Sequence, residues 1–235
     1  MALVSFNKPL KNNYYLLKIA GKYHAQIGQF FMIRKNSQEM FLSRPMSVYD
    51  LEEDGVTFLY CINGKGTAVL AKCRIGDEIT INGPYGNGFP TNISGNLALV
   101  GGGTGIAPLF YALKKLQGNP EVKNIDVFLG LQQKNVFESY FQKLSNLLEI
   151  NYGGYITDYI PYQKYNIIFS CGPEIMMRKI EEKARNYNIK HYLSLEKRMA
   201  CGVGACLVCS CQTKNGNARA CKDGPVFLGK DIFYE

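Results

Sequence analysis

The sequence is short of several things that would decide its class. It has no run of about 18 apolar residues, the length a helix needs to cross a bilayer. Its N-terminus, MALVSFNKPLKNNYYLLKIAGKYH, lacks the basic, apolar and small-residue sequence of a secretory signal, so the expectation is a cytoplasmic protein. It contains no internal repeat and no low-complexity segment. It also lacks a nucleic-acid recognition motif. The formal charge is +8, but the basic residues are scattered, with clusters no larger than pairs such as Lys114-Lys115. That charge reads as a solvated basic surface, or as a face for anionic cofactors or an acidic partner.

What is present is a globular composition. Of 235 residues, 46% are apolar and 12% aromatic, enough for a proper core. There are eight cysteines. In a compartment that keeps thiols reduced, they argue for metal or redox chemistry over a disulfide frame.

The chain divides into three. Residues 1–94 read as short strands between turns: YYLLKIA, QFFMIRK, VTFLYCI and DEITING, bounded by INGKG and NGPYGNG. No helix-period segment interrupts them, which predicts a small antiparallel barrel. Residues 95–190 alternate strand and helix. NLALV, IDVFLGL and YNIIFSCGP read as strands; Ile106, Leu109, Phe110, Leu113 and Leu116 mark one helix face. VFESYFQKLSNLL and EIMMRKIEEKARNY read as two further helices. That alternation predicts a parallel sheet with crossover helices, a nucleotide-binding α/β domain. Residues 191–235 carry a cysteine cluster and little periodic structure.

Cys201, Cys206, Cys209 and Cys221 follow the spacing C-x4-C-x2-C and then a distant cysteine, as plant-type ferredoxins do around a [2Fe–2S] cluster. The loop Gly202-Val203-Gly204-Ala205 is small enough for backbone N–H groups to reach the sulfurs. Zinc is the rival, although zinc knuckles usually come as two C-x2-C pairs and only Cys206/Cys209 makes one here. Unliganded thiols are the third reading. Cys211 falls outside the spacing and is expected as a partly buried free thiol. Cys61 and Cys73 read most simply as small core residues.

VGGGTGIAP lies between a strand and a helix, where glycine permits a tight turn and close approach of a phosphate. It departs from G-x-G-x-x-G, because the third glycine falls at Gly105, one residue early. SCGP, residues 170–173, ends a later strand and opens a helix. Both turns fall at strand C-termini, where open parallel sheets bind ligands. Packing alone also places glycine, and a buried thiol, at such junctions.

Together these motifs resemble the ferredoxin–NADP reductase superfamily. GGGTGIAP and SCGP match its nucleotide turns; SRPMSVYD at 43–50 and GKGTAVL at 64–70 look like its two flavin segments. The appended cluster motif, with SLEKRMACGVGAC and CKDGPVF, makes the chain similar to the electron-transfer subunits of two-subunit dihydroorotate dehydrogenases. The resemblance implies FAD held by Arg44, Pro45, Met46, Ser47, Leu59, Tyr60, Cys61, Gly66 and Thr67, with Arg44 on the pyrophosphate and Ser47 near flavin N5. It implies NAD on Gly102, Gly103, Thr104, Gly105, Cys171, Gly172 and Pro173, and a [2Fe–2S] cluster on Cys201, Cys206, Cys209 and Cys221. Met46 stands where the superfamily has an aromatic, so stacking there is lost or passes to Tyr60 or Tyr49. The strand end LGLQQKN, with Gln132, Gln133 and Lys134, offers no acidic residue for the NAD ribose, and NAD rests on the resemblance. Nothing in the chain looks like a dihydroorotate site. The resemblance implies an FMN-containing catalytic partner, two copies of each subunit, no nucleic acid and no membrane. Electrons would run from that FMN through the cluster and FAD to NAD⁺, for pyrimidine synthesis. Flavin subunits of ferredoxin:NADP oxidoreductases, sulfite reductases and hydrogenases share this build.

Overall fold

The first strands alternate β-branched and aromatic residues with polar ones, and they close on themselves. The computed structural model describes residues 1–234. In it β1 (Ala2–Pro9), β2 (Tyr14–Ala20), β3 (Phe30–Lys35), β4 (Arg44–Glu52), β5 (Gly55–Cys61) and β6 (Glu78–Tyr85) form a closed barrel in the order β1-β2-β5-β4-β3-β6. Every pairing is antiparallel. Closure removes the exposed edges that such short strands would otherwise present. Leu17, Ile19, Ile33, Val48, Val56 and Phe58 fill the interior with no exposed surface.

One helix does interrupt the strands, contrary to expectation. α1 (Lys65–Ala71) follows β5 directly. It spans two turns, opens Lys65-Gly66 and buries only Val69 and Leu70 besides Gly66. That is too short and too glycine-rich for a 3.6-residue period to show.

The second unit is a six-stranded sheet. β7 (Gly95–Gly102), α2 (Ile106–Leu116), β8 (Val122–Leu131), α3 (Glu138–Leu144), β9 (Leu147–Tyr152), β10 (Ile167–Cys171), α4 (Glu174–Asn186) and β11 (Lys190–Ser194) follow in turn. Strands β11-β10-β7-β8-β9 are parallel neighbours. The expected helix over VFESYFQKLSNLL stops at Leu144, and its final leucines open β9 instead. Asn146 is the cause: its backbone N–H donates to the Ile125 carbonyl at 2.9 Å, and its side-chain oxygen accepts from the Ile125 N–H at 2.8 Å. Those bonds tie the chain to β8 before another helical turn can form.

β11 crosses the expected boundary at 190/191. Beyond it come the hairpin β12 (Ser210–Thr213) and β13 (Gly216–Arg219), then β14 (Val226–Leu228) and α5 (Gly229–Ile232). β14 returns to the sheet and pairs antiparallel with β11, so the sheet is mixed.

α2 joins the two units. It is apolar nearly all round and lies between the barrel and the sheet. Phe110 stacks on Tyr49 of β4 with ring centroids 4.4 Å apart. The Tyr111 hydroxyl donates to the Ala25 carbonyl at 3.2 Å, and Lys114 pairs with Asp50 at 2.8 Å. Among the described residues no helix is long and apolar enough to cross a membrane.

Candidate functional site

A groove of about 730 Å³ opens between the barrel and the sheet. Arg44, Pro45, Met46 and Ser47 of β4, Leu59, Tyr60 and Cys61 of β5, and Gly66 and Thr67 of α1 all line it. The sequence separates these residues by up to 23 positions, and barrel closure brings them to one wall. α2 adds Ala107, the turn before it adds Thr104, and the segment Ser194–Met199 forms the far side. Of that far side, the sequence reading took no residue as a site, because an irregular segment after a strand carries no periodicity to flag it.

At one end the Arg44 guanidinium lies against the start of α1. A Cβ at Gly66 would come within 2.5 Å of it, so only glycine admits the arginine there. The Arg44 Nη1 donates to the Leu42 carbonyl at 2.7 Å, which fixes the fork. A guanidinium beside backbone N–H groups at a helix start fits a phosphate pair. The Thr67 hydroxyl accepts from the Asn63 N–H at 2.8 Å and donates to the Gly64 carbonyl at 3.1 Å. It therefore holds the phosphate-side loop in shape.

Tyr49 cannot replace the missing aromatic at Met46. It is buried on the other face of β4, stacked on Phe110, and lines no part of the groove. Tyr60 does line the groove, with its ring stacked on Tyr15 at 5.5 Å and its hydroxyl donating to Asn7 at 3.2 Å. Burial raises the phenol's pKa, so it stays protonated. Cys61 is half-exposed in the groove, and Cys73 is buried in the core.

The two glycine turns meet at the C-terminal ends of β7 and β10. A Cβ at Gly105 would strike the Cys171 carbonyl. Gly172 holds φ +146°, and a Cβ there would come within 2.8 Å of the Gly102 nitrogen. Gly102, Gly103 and Pro173 open onto a second groove of about 290 Å³, floored by Leu131 and Ile156 and walled by Gln132. Thr104 faces the large groove instead. Cys171 lies 1% exposed beneath both turns and lines neither groove, and burial pushes its thiol well up. Tyr155 and Lys179 were not foreseen. Tyr155 stands 64% exposed in the second groove with the Lys179 ammonium 4.2 Å from its ring centre. Their only signal is Gly153-Gly154 after a strand. Lys134 does not line this groove.

The cysteine loop wraps as its glycines permit. Gly202, Gly204 and Leu207 all hold positive φ. The N–H groups of Val203 and Cys206 donate to Cys201 Sγ at 3.4 and 3.5 Å, and they hold its thiol down to about 6. Burial pushes the Cys221 thiol up to about 12. No disulfide forms among the eight cysteines. The four thiols lie on one loop and the turn after β13: Cys209 and Cys221 are buried, Cys201 is half-buried and Cys206 is exposed. Among the described residues no three ligand-type side chains close around a single-ion point. Four cysteines at this spacing, with backbone N–H groups aimed at the Cys201 sulfur, fit the donor set of a [2Fe–2S] cluster. Cys211 is half-buried and outside this set, donating to the Ala218 carbonyl at 3.5 Å.

A closed barrel, a parallel sheet with its turn at the switch point and a groove between them define a reductase of the ferredoxin–NADP reductase fold, here with an iron–sulfur subdomain. A solved structure of a NADH-dependent reduced ferredoxin–NADP oxidoreductase superposes with a TM-score of 0.87 at 28% identity, covering 99% of this chain and 89% of that one. Residues 196–233 match the family described as the iron–sulfur cluster binding domain of dihydroorotate dehydrogenase B. The dihydroorotate dehydrogenase B (NAD(+)) electron transfer subunit of Clostridium acetobutylicum is 44% identical over 96% of this chain and 94% of its own length. The subunit of the same name from Clostridium perfringens is 39% identical over 99% of both. The chain belongs to the family of dihydroorotate dehydrogenase B (NAD(+)) electron transfer subunits.

Proposed function

We propose that this chain carries electrons between the catalytic subunit of a dihydroorotate dehydrogenase and NAD⁺, using FAD in the large groove and a [2Fe–2S] cluster on Cys201, Cys206, Cys209 and Cys221. The observation that carries the reading is the single groove that gathers Arg44–Ser47, Leu59–Cys61 and Gly66–Thr67, with the four-thiol subdomain docked beside it. When bound, the flavin exchanges hydride with the nicotinamide and single electrons with the cluster.

The chain's own residues supply placement. Arg44 and the backbone start of α1 bind the flavin pyrophosphate. Ser47 and Thr104 line the same groove and would face the flavin ring. Gly102, Gly103 and Pro173 seat the pyrophosphate of NAD, and the Tyr155 ring with Lys179 receives its adenosine. Cys171, packed under both turns, keeps them in contact and so positions the nicotinamide end. Cys201, Cys206, Cys209 and Cys221 ligate the cluster, and the N–H groups of Val203 and Cys206 stabilise the thiolate charge on Cys201. The partner supplies the dihydroorotate site with its own FMN, two copies of each subunit assembling for pyrimidine synthesis in the cytoplasm.

Co-expression with the catalytic subunit tests this. Dihydroorotate-dependent NAD⁺ reduction should appear in the complex, and Cys201→Ser should reduce it to background while bleaching the cluster's EPR signal. Coupled turnover at the normal rate in Cys201→Ser would refute the route. Coupling to a ferredoxin oxidoreductase subunit instead would keep the cofactors and replace the substrate.

A further inference from the structure

Phe30 belongs to two sites at once. It lines the large groove, and it also packs in a small core with Met32, Cys209, Ala220 and Cys221. All five are at most 2% exposed. In the β3–β4 ladder Phe30 stands directly opposite Ser47, and in the β3–β6 ladder opposite Tyr85, whose ring lies 6.0 Å away and packs on the same core. Met199 repeats the pattern: it lines the groove and packs against the cysteine core. The cysteine loop is pressed onto this layer, since a Cβ at Gly202 would come within 2.7 Å of the Met32 side chain. The other side is pinned by Asn87, whose side-chain amide donates to the Asp223 carbonyl at 3.0 Å and whose N–H donates to that of Gly224 at 2.5 Å.

We infer that Phe30, with Met199 beside it, is the wall through which electrons cross between the two redox centres, and that the ring fixes the separation of flavin and cluster. This rests on the flavin and cluster assignments above. Each crossing moves one electron. With NADH as donor it leaves the reduced flavin and turns one ferric iron of the cluster ferrous; with the partner as donor it runs the other way. No bond forms or breaks, and no proton passes the wall.

A packed ring bridges such a gap better than a void, because electronic coupling decays more steeply through empty space than through bonded atoms. The wall also keeps water from the Cys209 and Cys221 sulfurs, the two that pack against it. Two ferric irons, two sulfides and four thiolates sum to a charge of about −2, and reduction makes it about −3. Water stabilises the more charged state more strongly, so hydrating the wall raises the cluster's reduction potential.

The test uses the chain carrying both cofactors. Rapid mixing with NADH, followed at the flavin and then at the cluster absorbance, separates flavin reduction from crossing; an EPR-monitored redox titration gives the cluster potential. Phe30→Ala should slow the crossing phase about tenfold more than the flavin phase and raise the potential. Phe30→Leu, which refills most of the volume, should recover most of both. Phe30→Ala protein with full FAD and iron but wild-type crossing and potential would overturn the inference. Where Phe30→Ala loses its cofactors, Phe30→Leu and Met199→Ala carry the test, and wild-type crossing in both overturns it. Wild-type protein without a flavin band or a cluster signal would fail the site assignments first, and the wall with them.

Discussion

The large groove takes its walls from barrel strands, from α2 and from the segment after β11, and the Arg44 fork at its end is already fixed by a hydrogen bond. The second groove has less than half that volume, and two of its lining side chains stand largely in solvent, Tyr155 at 64% and Ile175 at 60% exposed. The difference separates a resident from a visitor. A cofactor that stays justifies a preorganised cradle, which lowers the ordering cost of binding. A substrate that must leave every turnover is better served by an open platform with few fixed contacts.

If the comparison holds, changes in the first groove empty the protein, and changes in the second only weaken a substrate. Arg44→Ala should weaken FAD retention about 10- to 100-fold, as expected for losing a charged hydrogen-bond fork. Flavin content after dialysis measures it, and full retention would remove Arg44 from the pyrophosphate. Tyr155→Ala should raise KM for NADH about five- to tenfold through lost ring stacking and leave kcat nearly unchanged. The same variant should treat reduced nicotinamide mononucleotide, which has no adenosine, as the wild type does. An equal rise in KM for both would make Tyr155 a structural residue.

The smallest effect lies under the second groove. His191 of β11 accepts or donates at Ser170 of β10 across 2.7 Å and at Glu181 of α4 across 3.0 Å, all three buried beside the SCGP turn. Burial lowers the imidazole's pKa below its ordinary value, so the unfolded chain binds the proton more readily. Stability is therefore intact above about pH 6.5 and declines as pH falls below it. A melting series should show Tm dropping by a few degrees on acidification, and His191→Gln should flatten part of that slope.

The legible parts of this fold were those with a period or a motif. β2 coincides with YYLLKIA, and α2 with the face of Ile106, Leu109, Phe110, Leu113 and Leu116. Of the residues named for the flavin, Leu59–Cys61 sit on a strand whose pattern showed, whereas Arg44–Ser47 on β4 and Gly66–Thr67 on α1 were named by the resemblance alone. α1 was hidden by its glycine, and β9 by leucines that also continued a helical face until Asn146 bonded to β8. Tyr155, Lys179 and Phe30 were hidden for a different reason. Each acts through a neighbour distant in sequence, and a ring in a strand looks the same whether it fills a core or parts two sites.

The return of β14 to the edge of the sheet, beside β11, has a mechanical meaning. The cysteine-bearing segment is a loop anchored at both ends, not an arm on a tether. A swinging carrier could ferry charge between distant docking points and trade speed for reach. This one is a fixed socket, held to the sheet by β11 before it and β14 after it.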